Sequence, residues 1–145
     1  MADIVAPDVR SRMMSGIRGR DTRPELRVRR YLHRVGFRFR LHAKHLPGNP
    51  DLVLPRLKTA IFVHGCFWHR HAGCPDASTP STRRDFWLDK FAANVARDGT
   101  AQDRLRELGW TVLTIWECET KSEVALDQLA WALFAIAVGH EPISP

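Results

Sequence analysis

Three histidines and two cysteines fall within the eleven residues His64-Gly65-Cys66-Phe67-Trp68-His69-Arg70-His71-Ala72-Gly73-Cys74. Thiolate and imidazole are the ligands a structural zinc ion prefers, and short intervals let one turn supply several of them. Cys66, His71 and Cys74 give the spacing Cys-x4-His-x2-Cys, and Cys118, the one cysteine left over, completes a tetrahedron if its strand lies beside theirs. The bland alternative is three unrelated buried thiols. A Cys3His shell leaves no open position for substrate, so such a zinc ion would hold the fold together and take no part in catalysis.

Catalysis must then rest on other side chains. Asp51 heads a short apolar run after the turn Pro47-Gly48-Asn49-Pro50. A carboxylate there can bridge Mg2+ to a phosphate, or it can simply cap the turn. His64 and His69 are left unassigned on the cysteine-bearing turn, and a neutral imidazole near pH 7 suits proton removal from water attacking a phosphodiester. His69 is the candidate base, although either histidine can instead contact phosphate or cap the loop. Phe67 and Trp68 are core residues or, if exposed, need a partner surface. In a nucleic-acid-binding protein they can wedge into the base stack, opposed by Met13 and Met14, with Trp87 a third candidate that helix packing explains as readily.

The charge balance points to a polyanion. The chain carries 22 Lys and Arg against 16 Asp and Glu, for a net charge of +6, and 18 of the cations are arginine, whose planar fork suits phosphate oxygens. Codon bias toward arginine would give the same count. Arg10, Arg12, Arg18, Arg20 and Arg23 crowd the first stretch, so residues 1–20 are expected to form a basic, DNA-contacting arm and residues 21–145 a single domain. No run of about 18 apolar residues offers a membrane span, and neither a secretory leader nor a disulfide framework is expected.

The elements that must position these residues are legible in outline. Thr22 with Glu25 three residues on, and Pro24 between them, is a capping-box pattern opening a helix to about Val35, with Gly36 as its cap. Phe37, Phe39 and Leu41 alternate with Arg38, Arg40 and His42, as in a half-exposed strand. Asp51–Leu54 and Thr59–Val63 read as short buried strands, and Arg84–Leu108 as mostly helix with a break or kink at Gly99. Trp110–Trp116 reads as a further buried strand and Ser122–Val138 as a final amphipathic helix. Three adjacent strands, a crossover helix and a fourth strand predict an α/β fold with a mixed central sheet flanked by helices.

On Arg12-Met13-Met14-Ser15, Arg20-Asp21-Thr22, Leu46-Pro47-Gly48-Asn49-Pro50-Asp51, Ile61-Phe62-Val63-His64-Gly65-Cys66-Phe67-Trp68-His69, Phe86-Trp87-Leu88-Asp89-Lys90, Asn94-Val95-Ala96-Arg97-Asp98 and Trp116-Glu117-Cys118, the chain resembles the very-short-patch-repair (Vsr) DNA mismatch endonuclease family over nearly its whole length. The resemblance implies a restriction-endonuclease-like core with a structural zinc site. It further implies a strand-specific nick 5′ to the T of a T·G mismatch, starting repair of deaminated 5-methylcytosine. By position, Asp51 would ligate two Mg2+ ions with the main-chain carbonyl of Val63, and His69 would be the general base. Glu25 and His64 would hold metal-bound water and phosphate, with Asp98 supporting His69. Cys66, His71, Cys74 and Cys118 would bind zinc. Met14, Phe67 and Trp68 would intercalate, with Trp87 assisting, and Arg18 and Arg20 would contact DNA. Implied partners are duplex DNA, mismatch-repair proteins and a DNA polymerase downstream and a cytosine methyltransferase upstream, for a monomer in the bacterial cytoplasm at the nucleoid. Two departures stand out. Phe62 and His64 occupy the places where the restriction-type pattern has an acid and a lysine, and the His71–Cys74 interval is one residue longer than in the familiar motif. The alternatives are a related Mg2+-dependent nicking enzyme of different specificity and a non-catalytic mismatch-binding module.

Overall fold

The computed structural model describes residues 21–139, so the expectations placed on Met14, Arg18 and Arg20 lie outside the described residues. Helix α1 (Arg23–Arg34) opens as its sequence predicts, the Thr22 hydroxyl accepting the Glu25 N–H at 3.4 Å with Pro24 in the first turn. The capping box is only half made. The Glu25 carboxylate accepts the N–H of Asp21 at 3.2 Å, and the side chain is buried. Gly36, at φ +105°, takes the left-handed turn that ends the helix.

The predicted Phe37–His42 strand shrinks to β1 (Arg40–Leu41). Phe37 and Phe39 do pack on the core. Leu41, however, is 40% exposed, and His42 adopts φ +50°, which ends the alternation of faces. Strands β2 (Leu52–Leu54) and β3 (Thr59–His64) follow, joined through a 3-10 turn at Pro55–Leu57. Helix α2 (Arg84–Glu107) runs unbroken through Gly99, against expectation: a glycine costs an exposed helix about 1 kcal/mol, which the other 23 residues of this 24-residue helix absorb. Strand β4 (Thr111–Trp116), a 3-10 turn at Glu117–Lys121 and α3 (Glu123–Ala137), capped by the Ser122 hydroxyl, complete the order.

The sheet runs β1-β2-β3-β4, antiparallel at the first two pairings and parallel between β3 and β4, across the α2 crossover. Its one face buries Leu52, Leu54, Ile61 and Ile115 against Val28, Tyr31 and Leu32 of α1 and Leu126, Leu129 and Leu133 of α3. The other face sets Ala60 and Phe62 against Leu105 of α2. Helices cover both faces, as the α/β reading requires. Strand β4 is less buried than its composition suggests, only Ile115 being fully enclosed, because it lies at the sheet edge. Tyr31 donates to Asp127, a polar tie between α1 and α3. No helix among the described residues is long and apolar enough to cross a membrane.

Candidate active site and metal centre

Parallel pairing sets the geometry of the cysteine cluster. Val63 faces Ile115 and His64 faces Trp116 in register, so Cys66 and Cys118 each lie two residues beyond the last paired position of their strand. The turn after β3 then folds back, with His71 N–H donating to Cys66 carbonyl at 3.0 Å and Cys74 N–H to His71 carbonyl at 3.3 Å. One ligand atom from each of Cys66, His71, Cys74 and Cys118 lies within 4.8 Å of the others. The Sγ atoms of Cys66 and Cys118 stand 3.6 and 3.4 Å from His71 Nδ1. Tetrahedral zinc, with its usual bond lengths, puts sulfur and nitrogen ligands about 3.6 Å apart. Burial pushes the Cys66 thiol up to about 12 and the Cys118 thiol upward too, so without a cation these two thiols stay protonated. A divalent ion supplies the charge that makes them thiolates, and the donor set fits zinc.

Asp51 is aimed by the turn before it. Gly48, at φ +76°, lies so close to α2 and β3 that a Cβ there would sit 2.8 Å from the Ala101 Cβ and 3.2 Å from the Phe62 ring. That contact excludes other residues at this position. The Asp51 carboxylate then accepts the Val63 N–H at 2.7 Å, continuing the β2–β3 ladder through a side chain. Burial first, and the neighbouring Glu25 carboxylate after it, push Asp51 up to about 7 from its ordinary 3.8, against the Val63 N–H, which pulls it down. A buried carboxylate beside a second one forms a setting that a hard divalent cation relieves.

Behind the carboxylates stands a histidine pair. His69 Nδ1 meets Asp98 Oδ2 of α2 at 2.6 Å, and the His64 and His69 rings stack at 4.0 Å, 7° from parallel. Burial, then the neighbouring His69, holds His64 down to about 4, so it is neutral at physiological pH. Glu25, Asp51, Val63, His64, Trp68, His69 and Asp98 all line one cleft of about 1170 Å3.

The three aromatic candidates are half-buried and packed on one another: Phe67 lies 5.1 Å from Trp68 and 5.9 Å from Trp87, with Phe91 of the core beneath it at 5.1 Å. Of the three, Trp68 lines the cleft. Some residues of the site carried no role in the sequence reading. Arg29 binds Glu25 Oε2 at 2.7 Å and Asp21 at 2.8 Å, with His42 Nε2 3.0 Å away. Its four-residue spacing from Glu25 was a readable signal. Arg70 lies over the Phe91 ring at 3.9 Å and donates to the carbonyls of Phe67, Ala77 and Ser78 and to the Thr79 hydroxyl, tying the aromatic turn to the loop after it. Nothing local in the sequence marks that role. Lys90, Asn94 and Arg97 add cationic and polar lining from α2, and Asn94 donates to the Trp68 carbonyl at 3.4 Å.

The family model described as DNA mismatch endonuclease Vsr matches residues 2–75. The chain is 46% identical over 127 residues to the type II nicking enzyme V.XorIIP of Xanthomonas oryzae pv. oryzae, covering 88% of this chain and 93% of that one. It is 44% identical over 126 residues to the DNA mismatch endonuclease Vsr of Escherichia coli, covering 87% and 80%. Similarity to the type II nicking enzyme V.NmeAIP of Neisseria meningitidis serogroup A is 41% over 123 residues, covering 85% and 87%.

Proposed function

Because the chain belongs to the Vsr family of DNA mismatch endonucleases, we propose that it is a Mg2+-dependent endonuclease that nicks duplex DNA on the 5′ side of the T in a T·G mismatch, the first step in repairing deaminated 5-methylcytosine. The observation that carries this reading is the convergence of Glu25, Asp51, His69 and Asp98 on one cleft beside Trp68. Asp51 and the Val63 carbonyl would hold the metal, with Glu25 beside them. When bound, Mg2+ would supply Lewis-acid stabilisation of the phosphoryl and leaving oxygens.

The chain's own groups perform the proton chemistry. With Nδ1–H donated to Asp98, His69 presents Nε2 as the acceptor for a proton from the attacking water, and Asp98 then stabilises the imidazolium. His64 stays neutral and stacks on that ring, so no second cation opposes its protonation. Phe67 and Trp68, backed by Trp87, would unstack the base step at a cost that is smaller at a wobble pair, while arginines on phosphate supply sequence-independent affinity. Met14, Arg18 and Arg20 would act from the arm. Cys66, His71, Cys74 and Cys118 would hold one structural zinc ion, and the core would be of the restriction-endonuclease type. The same reading makes the protein a monomer of the bacterial cytoplasm, followed in its pathway by mismatch-repair proteins and a polymerase.

Strand-labelled duplexes carrying each mismatch, with paired duplex as control and Mg2+ present, test this. A nick confined to the T strand, 5′ to the mismatched T, is the expected product. Equal cutting of paired duplex, or none of any duplex, overturns it. The names of V.XorIIP and V.NmeAIP as nicking enzymes favour one second reading, the same chemistry in another sequence context, which the same assay resolves when flanking sequence is varied.

A further inference from the structure

The cysteine cluster and the histidine pair are joined by a column of rings. His71, whose Nδ1 faces the Cys66 and Cys118 sulfurs, stacks on Trp116 at 4.4 Å and 10°. Trp116 meets His64 edge-on at 5.3 Å and 72°, and His64 lies flat on His69 at 4.0 Å and 7°. At the far end His69 is pinned by Asp98. Trp116 sits opposite His64 in the β3–β4 register, so the backbone fixes where its ring can stand. On the side where Trp116 is partly uncovered, a cavity of about 500 Å3 runs past His71, His64 and His69. There His69 borders the cavity, with the His64 ring on one face and Asp98 at Nδ1.

We infer that Trp116 is a positioning residue for the reaction: its indole transmits the placement of the metal-held His71 ring, through His64, to His69. This rests on the reading of His69 as the base. The physical case is geometric. Rings held face-to-face and edge-to-face adopt defined separations, and an error of about 1 Å in a reacting group can cost about a hundredfold in rate. A zinc ion that merely closed a loop could be moved without consequence for His69. One whose imidazole ligand ends a stack of four rings cannot.

The test compares Trp116→Leu, which keeps an apolar side chain but removes the plate, with Trp116→Phe, which keeps a plate, and with His71→Cys, which keeps four zinc ligands but removes the first ring. Single-turnover nicking of the T·G duplex, KM, bound zinc and the ring-proton NMR resonances of His64 and His69 are measured on each. Trp116→Leu and His71→Cys are expected to lower kcat on the order of tenfold, with KM and bound zinc unchanged and both sets of resonances displaced, while Trp116→Phe restores most of the rate. Parental kcat in either variant with unmoved resonances overturns the inference, as does a rate that falls only in step with lost zinc or lost folded protein. If Trp116→Leu does not fold, His71→Cys decides alone. Should the parent fail to nick T·G duplex, the proposed function falls, and displacement of the His69 resonances by the two variants still decides whether the column sets its position.

Discussion

Replacing Asp51 by asparagine should abolish nicking and yet make the Mg2+-free protein more stable. Asp51 is raised from 3.8 to about 7 chiefly by burial and then by Glu25, so ionising it in the folded state is costly. The gap between those values, at about 1.4 kcal/mol per pH unit, sets a ceiling of about 4 kcal/mol. Partial exposure and the weaker bond that a neutral amide oxygen would make to Val63 N–H reduce the gain to about 1–2 kcal/mol. The sign follows from the raised value. The protonated carboxyl stabilises the fold fully below about pH 4, and that contribution is lost as pH climbs through about 7. The variant's advantage therefore opens between pH 4 and 7 and is level above. At this chain length 1 kcal/mol moves Tm by about 3–4 °C, so at pH 8 the asparagine variant should melt about 3–8 °C above the parent, by calorimetry with zinc retained and Mg2+ omitted. Added Mg2+ should narrow the gap by binding only the parent's native state. A variant that melts below its parent at pH 8, or a gap that does not vary with pH, refutes the reasoning.

Cys118→Ser should lower Tm by more than about 10 °C, since a structural zinc ion contributes free energy comparable to the stability of a whole domain; metal analysis of the parent should find one zinc per chain, and its absence rejects the site. Asp98→Asn should reduce single-turnover nicking on the order of a hundredfold, because the His69 tautomer and its imidazolium lose their partner, with duplex affinity measured by anisotropy unchanged; parental rate would detach Asp98 from the chemistry. Replacing Phe67 and Trp68 together with Ala should erase the preference for T·G over paired DNA while leaving salt-sensitive binding in place. Because both rings pack with Trp87, and Phe67 also with Phe91, that variant should also lose about 3 kcal/mol of stability, and a retained preference would make these rings core residues only.

Local signals carried α1 well: Thr22, Pro24 and Gly36 each stand where helix-end chemistry places them. The same signals misled where tertiary structure decides. Gly99 looked like a break, but packing of Phe91 and Leu105 on either side keeps α2 continuous. The alternation from Phe37 to Leu41 looked like a strand, and the left-handed turn at His42 was not readable from it. Among the candidate site residues, the spacing of Cys66, His71 and Cys74 was local, whereas the approach of Cys118 depended on a parallel pairing of strands 52 residues apart in the chain, as Thr59 with Thr111. The grip of Arg70 on the carbonyls of Phe67, Ala77 and Ser78 was invisible for a related reason: its acceptors are backbone groups, which any residue supplies.

The parallel register of β3 and β4 also orders events in time. Glu25, Asp51, His69 and Asp98 are synthesised before β4, yet the cluster of three cysteines and His71 stays incomplete until residue 118 has been made and Thr111–Trp116 has docked beside Thr59–His64. On the ribosome, those four cleft residues therefore exist for a while without Cys118, which completes the cluster on the turn that bears His69. If that cluster holds the catalytic turn as proposed, a nascent chain of this design would gain the ability to cut DNA only when its last strand closes.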